Sequence, residues 1–187
     1  MKKVKTHFWI LTLIYAVILV WGILLKMNRL RVIERNFAYM IKLDLFSRLT
    51  YSLNPLSMHA TTVKENLLNV IAFMPFGFLS AAAVRKGALL KASAASLLLS
   101  LLFETVQIFT AIGGFSTADL IGNTLGGLLG ACALVAVSFC LGHMREKPRR
   151  ILTWAFILLA YALLTPAALY GVGNTLFHLE FYIGLYR

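Results

Sequence analysis

Apolar residues run along this chain in blocks near twenty residues long, separated by short polar or basic interruptions. A helix of that length crosses the roughly 30 Å hydrocarbon core of a bilayer. The blocks predict five membrane spans, at about 8–25, 66–84, 92–111, 118–141 and 151–170. The first follows MKKVK but is too long for a secretory apolar region. It also lacks a small-residue cleavage site, so an uncleaved span is expected. Pro75 and Gly77 interrupt the second block and Pro166 the fifth. A proline inside a helix removes a hydrogen bond and usually bends it. The aromatic tail YGVGNTLFHLEFYIGLYR suits the membrane–water interface.

Residues 26–64 form the only long connection. Within 29–49, Ile33, Phe37, Met40 and Ile41 recur on one side, with Arg31, Arg35, Lys42 and Arg48 largely elsewhere. This predicts an amphipathic helix in the headgroup region, the alternative being a solvated basic loop. Asn54-Pro55 marks a turn, and Thr61 or Thr62 can cap the following helix.

Composition agrees. Hydrophobic residues make up 60% of the 187 and charged residues 13%, whereas soluble domains average about 45–50% and about 25%. The expected class is therefore an all-α membrane protein. Its 187 residues form a single domain, a bundle of about five transmembrane helices with an interfacial helix between the first two. The net charge of +11 would point to nucleic acid in a soluble protein. Here no basic run joins a binding motif, and the cations flank spans where they meet anionic lipid. Cys132 and Cys140 lie eight residues apart in one apolar run, a spacing that fits neither a redox pair nor a zinc knuckle. They are expected to be buried packing thiols. Neither a metal site nor a cofactor is expected.

Three apolar blocks carry polar residues at helical spacing: Asn66 with Asn69, Glu104 with Gln107, and Asp119 with Asn123. Spacings of three or four place each pair on one helix face. A charged acid at mid-helix costs roughly 2.5–3.5 kcal/mol on insertion scales, so two acids and four amides need a reason. Alternating helix direction brings the start of span two, the end of span three and the start of span four to one membrane face, and all six residues with them. Gly122, Gly126 and Gly130 form a stripe at four-residue intervals, beside Gly127. Such a stripe admits a close helix neighbour, within the chain or in a homo-oligomer. The N-terminal lysines and the basic turns at 85–91 and 142–150 share the opposite face. The positive-inside rule then places the N-terminus in the cytoplasm and the C-terminus outside, although the seven Lys and Arg of 26–64 oppose it.

The central stretch resembles the VanZ-like family of bacterial membrane proteins. The residues that carry the resemblance are Asn66-Leu-Leu-Asn69, Phe73-Met-Pro-Phe-Gly-Phe78, Glu104-x-x-Gln107 and Asp119-Leu-Ile-Gly-Asn123-Thr-Leu-Gly126-Gly127, with the Leu53-Asn54-Pro55 turn before them. The first and fifth spans match only as apolar segments. Many members carry an Arg in the turn before the Asp, whereas the turn here, residues 113–118, has none. An ion partner for Glu104 or Asp119 would then come from Lys64, Arg48 or a lipid headgroup. The resemblance implies a protein of the cell envelope in a Gram-positive-like bacterium, in a family named for a protein associated with low-level teicoplanin resistance.

Three functional readings follow. In the first, Asn66, Asn69, Glu104, Gln107, Asp119 and Asn123 form an extracytoplasmic polar pocket. It binds the headgroup of a membrane lipid or a lipid-linked cell-wall precursor, since amides offer both donors and acceptors, and so lowers teicoplanin susceptibility. In the second, Glu104 or Asp119 acts as general base on a lipid-linked substrate, with His59 nearby. No serine-nucleophile or HExxH motif supports this enzyme reading. In the third, interhelical hydrogen bonds simply hold three spans together. Asp119 can then be a cap in the first turn of span four, while Glu104 lies inside an apolar run with no evident cap to make.

Overall fold

The computed structural model describes residues 2–24, 63–84, 86–110 and 116–182. Within them the chain forms five helices and no strand: α1 (Lys2–Leu24), α2 (Val63–Val84), α3 (Ala88–Thr110), α4 (Thr117–Gly142) and α5 (Glu146–Tyr182). All five are long and apolar enough to cross a membrane. The expected interfacial helix at 29–49, the Asn54-Pro55 turn, the Thr61 and Thr62 cap, Arg48 and His59 lie outside the described residues, as do the side chain of Lys64 and the glycines of the 111–115 turn.

Contacts set the helix directions. Tyr15 of α1 donates its hydroxyl to the Ala72 carbonyl of α2 at 2.8 Å. Nearer the start of α1, Phe8 packs with Leu79, Ala82 and Ala83, so α1 and α2 are antiparallel. Phe8 also stacks on Phe156, and Trp21 meets Tyr170, so α5 runs parallel to α1. Lys3, Lys5, Lys86, Lys91, Arg145, Lys147, Arg149 and Arg150 therefore gather at one end of the bundle. The starts of α2 and α4 lie at the other, with the end of α3.

Helices α2 and α4 share the most extensive interface, and α4 also packs on α3. Glycine makes this possible. A Cβ at Gly126 would overlap the Val70 carbonyl and come within 2.9 Å of the Phe73 Cβ, and one at Gly130 would overlap the Met74 carbonyl. One at Gly77 would strike the Gly127 backbone, and one at Gly127 would strike Ser96 of α3. Gly122 is looser, with its nearest neighbour, the Asn66 carbonyl, 3.5 Å from a Cβ. The stripe is thus used for close packing within the chain.

Most hydroxyls within these apolar helices donate to the carbonyl four residues back, as Thr12, Ser93, Ser96, Thr105 and Thr124 do. Each such group is thereby satisfied by its own helix. The chain reverses from α2 to α3 at Gly87, whose φ of +64° belongs to the left-handed region that favours glycine.

Two expectations need correction. Cys132 and Cys140 are exposed, not buried, because α4 turns its small-residue face inward and leaves them on its outer surface. The fifth helix does not end near residue 170. It runs through Pro166 to Tyr182, so the first part of the aromatic tail continues the helix. There Gly171 receives the Trp21 indole, which seats α5 on α1.

Gly126→Ala and Gly130→Ala should each destabilise the detergent-solubilised protein by about 1–3 kcal/mol, the usual cost of overpacking. Gly22→Ala, where a Cβ meets no atom of the described residues within 4 Å, should leave stability unchanged or raise it by up to about 1 kcal/mol. Chaotrope unfolding followed by circular dichroism checks all three.

Candidate functional site

The polar residues meet where α4 begins. The first N–H groups of any helix lack intrahelical partners, and in apolar surroundings they must find others. Ser116 is the N-cap, with extended backbone (φ −122°, ψ 109°), and its Oγ accepts from the Asp119 N–H at 3.2 Å. In a capping box the side chain at the Asp119 position would return the favour to the N–H of Ser116. Here Glu104 of α3 takes that N–H instead, with its Oε2 at 2.8 Å. Asp119 is thereby left to bind α2, and its Oδ1 accepts from Asn69 Nδ2 at 2.8 Å. One helix terminus thus ties three helices together.

Glu104 therefore has a cap to make after all, from the neighbouring helix. It is only 2% exposed, and a buried carboxylate needs hydrogen bonds of this kind. The position also suits its charge, because a helix N-terminus carries partial positive charge and favours anions. Asp119 sits in the first turn of the same helix and gains from the same field.

One turn deeper, Asn123 Nδ2 donates to Ser100 Oγ at 2.9 Å, bridging α4 to α3. Ser96, Ser100, Glu104 and Gln107 are all buried. Their spacing of four, four and three sets them along one side of α3. Asn123 is 3% exposed, and its Oδ1 has no hydrogen-bond partner among the described residues; the buried Oδ1 of Asn66 is likewise unmatched there. Of the six residues singled out in the sequence, the described bonds join Asn69 to Asp119 and place Glu104 on the same cap. Asn123 bonds to α3, while Asn66 and Gln107 lie beside this network without a described hydrogen bond.

Sequence reasoning missed Ser100 and Ser116. Both had a signal: Ser116-Thr-Ala-Asp119 has the spacing of an N-terminal capping motif, and Ser100 lies four residues before Glu104 on the same face. No group of three or more His, Cys, Asp or Glu among the described residues is placed to hold a metal ion.

The family model described as VanZ/LLP1 matches residues 12–139, from within α1 to near the end of α4. The chain belongs to the VanZ/LLP1 family. Protein VanZ of Enterococcus faecium is 35% identical over 153 residues, covering 81% of this chain and 86% of that protein. No solved structure matches. The match includes every residue of the α2–α3–α4 cluster, so the capped helix start lies inside the family region of this VanZ/LLP1 member.

A double-mutant cycle of Asn69→Ala and Asp119→Ala in micelles should give a coupling of about 0.6–2 kcal/mol, the range for interhelical hydrogen bonds in membranes. Additive effects would show that the pair does not interact.

Proposed function

We propose that this VanZ-like membrane protein binds the headgroup of a lipid or lipid-linked cell-wall precursor at the polar end of α2, α3 and α4. In this reading that end faces outward and the basic end faces the cytoplasm, as the positive-inside rule favours. The observation that carries the proposal is that two buried amide oxygens, Asn66 Oδ1 and Asn123 Oδ1, lack partners among the described residues. A buried acceptor left unmatched costs about 1–3 kcal/mol. Both oxygens are closed to solvent, so a headgroup rich in hydroxyl or amine donors would supply the missing bonds as the surrounding side chains part to admit it. Glu104 and Asp119 serve as the frame that fixes the cluster, bonded to the start of α4 and to Asn69. Binding at the envelope surface would alter what a lipophilic glycopeptide meets there and so lower teicoplanin susceptibility.

A second, purely structural reading is favoured by the engagement of both carboxylates in helix-joining bonds. Asn123→Leu and Ser100→Ala separate the two. Each breaks the α3–α4 side-chain bond, but only the first removes the amide oxygen. In a strain lacking the gene, wild type and Ser100→Ala should each lower teicoplanin susceptibility selectively over vancomycin, while Asn123→Leu at matched membrane level should not. Equal loss in both variants, in step with lowered stability, would favour the structural reading.

A further inference from the structure

The half of the bundle toward the basic end carries a different feature. Helix α5 packs on α1, and between it, α2 and α4 lies an open cavity of about 360 Å³. Met74 and Phe78 form one wall, Gly130 and Ala133 the floor, and Phe156 and Leu163 the far wall. Every lining residue is apolar. The volume falls within the usual range of about 300–1,000 Å³ for small-molecule sites.

We propose that this groove seats one acyl chain of an anionic phospholipid, whose phosphate rests on the basic residues at the same end of the bundle. Arg149 and Arg150 precede Phe156 on α5 by six or seven residues, or about 9–10 Å along the helix. Lys86 follows Leu79 at the end of α2 by a similar interval, and Arg145 and Lys147 flank the turn between α4 and α5. Against these cations, Glu146 is the one acidic residue among the described positions of the two turns at that end.

Charge complementarity selects the headgroup, since basic residues beside a membrane span attract anionic lipid. Shape and polarity select the tail. The groove opens within the apolar part of α5, where it offers a chain no polar partner. From Arg150 to Leu163 the helix rises about 20 Å, which takes a chain from the interface past the middle of a hydrocarbon core about 30 Å thick. Small side chains on α4 leave the floor low, and α5 makes its most extensive contacts with α1 rather than with α4. This site is independent of the amide cluster, which lies at the opposite end.

Native mass spectrometry of the full chain, released from neutral detergent with added dioleoyl phosphatidylglycerol or dioleoyl phosphatidylcholine, tests the proposal. Wild type should retain one phosphatidylglycerol and lose phosphatidylcholine. Ala133→Phe, which fills the floor, should lose the retained phosphatidylglycerol. The exposed-end double variant Arg149→Gln/Arg150→Gln leaves the packing untouched and should abolish the preference between the two lipids. Equal retention of both lipids by wild type would overturn the proposal. So would unchanged phosphatidylglycerol retention in Ala133→Phe, or a dimer that Ala133→Phe dissociates, which would make a second copy the occupant. Should Ala133→Phe fail to fold, the double variant decides the matter alone.

Discussion

A helix that starts within a membrane bundle must satisfy its first N–H groups without water. In this protein α4 meets that demand by borrowing a carboxylate from α3. Glu104 accepts from the Ser116 N–H, and Ser116 accepts from Asp119. The relay ends on α2, where Asn69 donates to Asp119. Each bond relieves a cost that the apolar setting would otherwise impose. At another buried position within α3 the same carboxylate would lack this N–H donor to offset its burial.

The glycines make this arrangement reachable. Gly126, Gly130 and Gly77 bring α2 and α4 into backbone contact, and Gly127 receives Ser96 of α3. Such close approach lets short side chains such as Ser100, Asn69 and Asp119 bridge helices. The packing and the polar layer therefore depend on each other. Helices α1 and α5 are attached mainly through aromatic and aliphatic contacts such as Phe8 on Leu79 and Phe156 against Phe78, with a hydrogen bond from Tyr15 to the Ala72 carbonyl. The result is a three-helix module with polar joints, flanked by a greasier pair. That division leaves the apolar groove beside α5 in the basic half of the bundle, away from the amide oxygens of Asn66 and Asn123 at the polar end.

Much of this was legible in the sequence. Block length and hydropathy gave five spans because lipid imposes a minimum length, and alternation alone brought six polar residues to one end. The glycine stripe announced close packing, although its partner could not be named from spacing. What the sequence hid was pairing across helices. Nothing local in the run LLFETVQIF reveals that Glu104 caps a helix beginning twelve residues later, because the connection depends on how α3 and α4 cross. The exposure of Cys132 and Cys140 is hidden for a similar reason: an apolar run does not say which of its faces turns outward. The continuation of α5 past residue 170 is hidden because the aromatic tail has the composition of an interfacial segment, which does not say whether the helix goes on through it.

Hydrogen exchange at the start of α4 tests the shared cap most directly. In nanodiscs, peptides covering residues 116–121 should be protected in wild type. They should exchange markedly faster in Glu104→Leu, while the later turns of α4 remain unchanged. Equal protection of 116–121 in both proteins would show that the start of α4 does not depend on the Glu104 carboxylate, and would contradict the three-helix joint.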